Sequence, residues 1–260
     1  MKKSLSEKEL LNKQYIVPAL YRGLKVIELL SEHSEGLSIG DMAELKFPPA
    51  SLYRMLMTLL ERKYVVREGN DLYRLSRKIL SLGYKAIDES GILEKSLSAM
   101  RKLRDVCGET VLIAVRHGNE GVVLEEVVSS HPVKVTVQVG HHFPLHTAAP
   151  GKAMLAYLPE EEKQSVINAI SYTVFNSKTI TDMSAMELEL ARVKESGVAF
   201  DRGEELEEIR CVGAPVFNYL DYPVAAIWIS GPSSRMPEKI MKTYAALVKE
   251  YAGEISVKFL

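Results

Sequence analysis

Between Val17 and Leu75 the spacing of apolar residues changes from a helical period to a strand period, and this limits the fold of the stretch more than any other feature. Leu20, Leu24, Ile27 and Leu30 recur at three- and four-residue steps, with Pro18 where a first-turn proline loses no hydrogen bond, so a helix starts near Val17. Glu32-His33-Ser34-Glu35-Gly36 ends it. Ser38, followed three residues later by Asp41, has the spacing of an N-cap pair and opens a short second helix through Met42, Ala43 and Leu45. Phe47-Pro48-Pro49 stops that helix, and a third begins near Ala50 with Leu52, Leu56 and Leu59 on one face. Ser51, Tyr53, Arg54, Met57 and Thr58 lie on or near its other face. After Lys63 two short β-prone runs, Tyr64-Val65-Val66-Arg67 and Leu72-Tyr73-Arg74-Leu75, flank Glu68-Gly69-Asn70-Asp71 and read as a hairpin.

Helix, short helix, turn, helix and hairpin in this order is the plan of a winged helix-turn-helix over residues 17–78. A major groove about 12 Å wide accepts one helix, so Ser51, Tyr53, Arg54 and Thr58 on the third helix are the candidates to meet base edges, with Ser38 at the start of the second. Arg67 and Arg74, on opposite arms of the hairpin, are candidates for phosphate, whose oxygens match the guanidinium fork. Small helical bundles share parts of this pattern, so a head used for protein contacts remains the alternative.

Charge separates the head from the rest. The chain of 260 residues carries 33 basic and 34 acidic side chains, a formal net charge of −1, which taken alone does not point to nucleic acid. Residues 1–86 hold 15 basic and 10 acidic residues, and the remainder holds 18 and 24, so a basic head precedes an acidic body. No apolar run approaches the roughly 20 residues that cross a bilayer. Residues 1–16, an extension beginning MKKSLSEKELLNKQ, lack a signal peptide's apolar segment, so the expectation is a cytoplasmic protein without a membrane partner. Cys107 and Cys211 alone support neither a disulfide framework nor a cysteine-rich zinc module.

In the body, Ile79, Leu80, Leu82 and Tyr84 predict a linker helix over 79–92, and Leu93, Leu97, Met100, Leu103 and Val106 predict the first helix of a domain spanning 93–260. Strands are expected at 110–115, 121–128, 133–139, 198–201, 210–217 and 223–230, and helices near 150–158, 160–169, 184–195 and 237–250. Helices set apart from an antiparallel sheet make the body α+β.

Catalytic readings fail on their residues. Gly151-Lys152 lacks the earlier glycine of a phosphate loop, where His146 stands, and is followed by Ala153 where a magnesium-binding hydroxyl is needed. His141, His142 and His146 are the one histidine cluster, and with Cys107 or Cys211 could make a zinc site or a Cys/His nucleophile, although their spacing requires neither. Loop residues near a pocket are the preferred reading, with no catalytic residue, metal or cofactor expected. Cys211, within an apolar strand, reads as a small core residue.

The run VPALYRGLKVIELLSEHSEGLSIGDMAELKFPPASLYRMLMTLLERKYVVREGNDLYRLSRKILSLG resembles the DNA-binding half of the IclR family of bacterial transcription regulators. GETVLIAVRHGNEGVVLEEVVS, PLHTAAPGKAMLAYLP, KTITD, SGVAFDRGEE, IRCVGAPVFN and VAAIWISGPSSRM extend the likeness through the body in the right order. The resemblance implies a winged helix, a linker helix and a GAF- or profilin-like effector-binding domain, assembled as dimers or tetramers. It also implies an effector held by the turn before the Gly-Lys helix and by nearby strand residues, here Ala149, Pro150, Gly151, Asp201, Cys211, Trp228 and Ser230. A helix amino terminus offers N–H groups to a carboxylate, but Pro150 removes a donor. Val224, Ala226, Trp228 and Ser230 share one face of their strand, so Trp228 brings an indole where the family has a small polar residue. Glu208 and Ile209 lie near a position where the family often has glycine, which leaves the alignment of the loop between Asp201 and Cys211 with the family open.

The expected function is a sequence-specific regulator, a repressor of a catabolic operon, that binds double-stranded operator DNA as a homodimer or homotetramer and responds to an organic acid or aromatic metabolite. Trp228 favours a flat or apolar-bodied effector, or none. The alternative is a small-molecule-binding or metabolic enzyme whose head makes protein contacts.

Overall fold

The computed structural model describes residues 16–87 and 91–259, which divide into two compact units on either side of Glu89 and Ser90. The expected extension over 1–16 lies outside the described residues except for Ile16.

In the first unit, α1 (Pro18–Ser31) precedes a short 3-10 helix (Asp41–Leu45), α2 (Pro49–Glu61), and a hairpin of β1 (Val65–Glu68) and β2 (Leu72–Leu75) whose turn is a 3-10 segment, Gly69–Asp71. Ser38 and Asp41 pair as their spacing predicts: the Ser38 N–H and hydroxyl both donate to Asp41 Oδ2, at 2.9 and 2.6 Å, and the Asp41 N–H donates back to Ser38 Oγ at 3.3 Å. Hydrogen bonds from Ser38 hold the Asp41 carboxyl below its usual range. Val26, Leu30, Met42, Leu52, Leu56 and Tyr73 form the centre of the core. The apolar stripe expected on α1 is only partly buried. Val26, Leu29 and Leu30 face inward, whereas Leu20 and Leu24 are exposed. Leu37 pairs with Tyr73 through two backbone hydrogen bonds and adds a third element to the wing's sheet, one too short for sequence periodicity to reveal. The linker helix expected at 79–92 begins earlier, as α3 (Arg77–Ile87); residues 88–90 of that range lie outside the described residues, and Ile92 already belongs to α4 (Ile92–Cys107).

The second unit is a six-stranded antiparallel sheet with strand order β5-β4-β3-β8-β7-β6. Its strands are β3 (Thr110–His117), β4 (Glu120–Val127), β5 (His142–Pro144), β6 (Ala199–Asp201), β7 (Ile209–Phe217) and β8 (Pro223–Pro232). Alternation sorts their side chains to two faces. α4 and the closing helix α8 (Glu238–Ser256) pack on the sheet and on each other. Leu112, Ala114, Ala226 and Trp228 face the apolar layer supplied by α5 (Ala149–Leu155), α6 (Glu160–Ala169) and α7 (Met183–Ser196). Helices flanking an antiparallel sheet, after a helical head, make the chain α+β.

Residues 133–139 are not the strand their alternating valines predict. They form a strap whose backbone bonds to side chains instead of to a neighbouring strand: Thr110 Oγ1 donates to the Val135 carbonyl at 2.6 Å, and the Val137 N–H donates to Glu126 Oε1 at 2.8 Å. β5 takes the sheet edge in its place.

Candidate functional site

Strand register builds the body's site. Asp201 lies opposite Cys211, Cys211 opposite Ser230 and Ser230 opposite Thr110, which lines up a polar row across four strands. The next row carries Gly213, Trp228 and Leu112. The strap, the turn ahead of α5 and the loop after β6 border a partly open cavity of about 320 Å³ above these rows. Pro150, Asp201, Cys211, Trp228 and Ser230, all expected to meet an effector, line it together. Ala149 and Gly151 do not. Both are buried, and Ala148 takes the wall position beside Pro150.

Two close approaches explain this placement. A Cβ at Gly151 would lie 2.5 Å from the Leu145 carbonyl oxygen and 2.7 Å from its Cα, so α5 can rest on that backbone only with glycine there. A Cβ at Gly213 would lie 3.2 Å from the Trp228 Cβ and 3.3 Å from the Ala149 carbonyl carbon, so the bare strand lets the start of α5 settle beside the indole. Phe143 and Trp228 meet edge to face with ring centroids 5.9 Å apart and form the cavity's aromatic wall.

The polar side is strongly acidic. Asp201 Oδ1 accepts the N–H groups of Gly203 and Glu204 at 2.9 and 2.8 Å, which fixes the loop, while burial pushes its carboxyl above the usual range. Glu205 Oε2 accepts the Thr147 hydroxyl at 3.2 Å. Behind the wall Lys152 is fully buried, with Nζ 2.5 Å from Glu204 Oε1 and 3.7 Å from Glu189 Oε1. Burial pushes Glu204 up to about 7 against the pull of Lys152, and its Oε2 has no hydrogen-bond partner. Gly151-Lys152 therefore joins α5 to the loop after β6, and the lysine does not face solvent as phosphate binding would require. Sequence reasoning missed this pair because its members lie 52 positions apart.

The three histidines diverge. His141 lines the cavity, His142 pairs with Glu120 Oε2 at 2.9 Å, and buried His146 bonds through Nε2 to the Thr173 carbonyl at 3.1 Å. Burial holds the His146 pKa below its ordinary value, so the ring stays neutral. No metal-ligating group forms among the described residues. The Cys211 thiol donates to Ser230 Oγ at 3.4 Å, and burial raises it well above the ordinary thiol range, so it stays protonated and is not poised as a nucleophile.

In the head, Tyr53 is half exposed, and Arg54 and Thr58 are exposed on α2. Ser51, Arg54 and Thr58 border an apolar groove with Leu20 and Leu24, whereas Tyr53 does not, so these four residues do not form a single face. The Thr58 hydroxyl donates to the Arg54 carbonyl at 2.8 Å, and the Ser38 hydroxyl is engaged with Asp41. Both wing arginines have carboxylate partners: Arg67 with Asp71 at 2.5 Å and Arg74 with Glu68 at 3.2 Å. Among the described residues, no helix is long and apolar enough to cross a membrane.

Comparison with known proteins agrees with this division. The IclR helix-turn-helix domain matches residues 19–69, and the C-terminal domain of the bacterial transcriptional regulator IclR matches residues 84–257. The HTH-type transcriptional repressor AllR of Escherichia coli (strain K12) is 30% identical over 240 residues, which cover 92% of this chain and 89% of that protein. The HTH-type transcriptional regulator XynR of the same strain is 28% identical over 225 residues, covering 86% and 89%. Both are named as regulators of transcription and not as enzymes. The crystal structure of the Thermotoga maritima IclR superposes with a TM-score of 0.78 at 26% identity, covering 92% of this chain and 98% of that one. The chain belongs to the IclR family of bacterial transcriptional regulators.

Proposed function

We propose that the protein is a cytoplasmic, sequence-specific repressor of a catabolic operon, and that a small molecule held in the body's cavity sets its affinity for operator DNA. The observation that carries this reading is the polar row Asp201–Cys211–Ser230, which faces a partly open cavity of about 320 Å³ lined by Phe143 and Trp228. Buried polar residues facing an aromatic-walled cavity match the usual make-up of a small-molecule site. The effector has a flat or apolar body that lies against the indole.

On the DNA side, Ser51, Tyr53, Arg54 and Thr58 present the reading helix, Ser38 fixes the turn before it, and Arg67 and Arg74 meet phosphates once they exchange their carboxylate partners. One winged helix reads only a few base pairs, so the working form is a homodimer or homotetramer that spans half-sites about 34 Å apart. The effector acts by binding two arrangements of the heads unequally. The test is retardation of the chain's own promoter fragment over a salt series. With roughly six to ten phosphates engaged, affinity falls on the order of a thousand-fold between about 50 and 200 mM salt. Absence of retardation at low salt refutes the reading.

A further inference from the structure

We propose that an effector carrying a carboxylate enters the body's cavity together with a proton from solvent, which Glu204 takes up in the layer behind the wall. This rests on the reading of the cavity as the effector site and deepens it by naming what regulates that site.

The charges around the space set the problem. No described lysine or arginine lines the cavity; its polar lining holds Asp201, Glu205 and uncharged groups such as Cys211, Ser230 and Gln138, with His141 as the one base. Behind the wall, Lys152 Nζ lies 2.5 Å from Glu204 and 3.7 Å from Glu189, and Glu189 also pairs with Arg192 at 3.4 Å. Four acids, Asp201, Glu189, Glu204 and Glu205, thus stand against two cations, Lys152 and Arg192, which leaves a net charge of −2 when all are ionised. A bound carboxylate makes this −3, and a single proton restores it.

Geometry selects Glu204 as the acceptor. Its Oε1 takes the bond from Lys152, whereas its Oε2 is buried with no partner among the described residues. A bare oxygen costs more to bury ionised than neutral. Asp201 differs, because two backbone N–H groups, at 2.9 and 2.8 Å, favour its ionised form. Glu189 has two cations, and half-buried Glu205 accepts the Thr147 hydroxyl. His146 Nδ1 is also buried and unpartnered, but burial and nearby Lys152 both oppose a positive charge there. Thr179 holds the Glu204 carbonyl from the other side of the loop, where the neighbouring cation, Lys178, pairs with Glu207 at 3.7 Å.

Burial already pushes Glu204 up to about 7, so near neutrality it is close to half protonated before any ligand arrives. At an effective dielectric constant of about 20, a negative charge about 6 Å away raises the proton affinity of a carboxyl about a hundred-fold. The bound state therefore holds a proton that the free state loses as pH rises through about 7. Carboxylate affinity falls with rising pH, on the order of ten-fold between about pH 6 and 8.

Benzoate and benzamide share a ring that suits the wall of Phe143 and Trp228, and they differ in charge. Calorimetric titrations of the full chain at about pH 7.5, in buffers of different ionisation enthalpy, count the protons bound with each. Benzoate should take up about half a proton or more and lose affinity about ten-fold from about pH 6 to 8, whereas benzamide should show neither effect. Glu204→Gln should abolish both effects, and Glu205→Gln should retain them. If Glu204→Gln does not fold, infrared difference spectra of the native chain keep the test open: benzoate should add the absorption of a protonated carboxyl, and benzamide should not. Benzoate binding without proton uptake, equal uptake with benzamide, uptake retained in folded Glu204→Gln, or no benzoate binding up to about 10 mM would overturn the proposal. Promoter retardation with and without benzoate separates the two readings. Proton-linked binding that leaves DNA affinity unchanged refutes the effector role and keeps the proton link, whereas a shift in DNA affinity without proton uptake does the reverse.

Discussion

Lys152→Met tests the electrostatic arrangement behind the cavity. Lys152 is fully buried, and its nearest carboxylate, on Glu204, is 8% exposed, so neither charge can turn to water when the other is removed. Breaking a buried pair from one side costs about 3–5 kcal/mol, most of it the penalty of leaving the other charge uncompensated. Glu204 can escape part of that penalty by taking up a proton, which makes the loss depend on pH. In the native protein its pKa of about 7 exceeds the ordinary 4.5, so the folded state binds more protons than the unfolded state. The resulting stabilisation is complete below about 4.5 and is lost as pH rises through about 7. Without Lys152 the folded pKa moves higher, and the variant keeps losing about 1.4 kcal/mol per pH unit where the native protein's curve has begun to flatten. Integrated from about pH 6 to 8, the deficit of the variant grows by about 1.4 kcal/mol.

Urea unfolding followed by Trp228 fluorescence measures this in the body itself, because that residue is the only tryptophan. The midpoint should fall while the slope stays constant. Lys152→Met combined with Glu204→Leu, which replaces the pair by apolar side chains, should recover most of the loss and remove the added pH dependence. A deficit below about 1 kcal/mol, the same deficit at both pH values, or a double variant no better than the single one would refute the reasoning.

Asp71→Asn removes the carboxylate that holds Arg67 while keeping a residue suited to the positive φ of 61° at that position. It should tighten DNA binding about two- to five-fold and steepen its salt dependence in retardation assays. Arg54→Ala should cost about 1–3 kcal/mol of discrimination between operator and unrelated DNA, whereas Arg67→Ala should weaken both about equally; competition titrations separate the two, and the reverse pattern moves base reading to the wing. Gly151→Ala should destabilise the body by about 1–3 kcal/mol in the same urea assay, because its new methyl group meets the Leu145 backbone and not a side chain that can move.

The head was legible because local signals agreed. Prolines, the Ser38–Asp41 pair and the change of period each placed a boundary, and the helices and hairpin lie within a few residues of them. What failed depends on contacts distant in sequence. Val133, Val135, Val137 and Val139 alternate like a strand, yet the backbone between them bonds to the side chains of Thr110 and Glu126. Leu20 and Leu24 continue a helical stripe, but the helix turns Val26 and Leu29 inward and leaves them beside the groove. In the cavity, strand alternation put Trp228 and Ser230 on one face, and the register brought Cys211 and Asp201 to them. No local rule could show that Ala148 and Pro150, and not Ala149 and Gly151, reach the wall.

The body's acidic surplus now has a location. Glu204 and Glu189 face the buried Lys152, and Asp201 and Glu205 line the cavity, so part of the imbalance lies inside the fold, where each charge costs more than it would on the surface. Such a layer is more stable at lower pH, with Glu204 protonated. Glu204→Gln supplies a permanently neutral side chain and should remove a stability loss of about 3 kcal/mol between about pH 4.5 and 7, visible as a flatter dependence of the urea midpoint on pH. If the slope is unchanged, Glu204 is not the titrating group and its charge is balanced elsewhere. If it flattens, the native chain retains a costly acid in the layer behind its cavity, held there by Lys152.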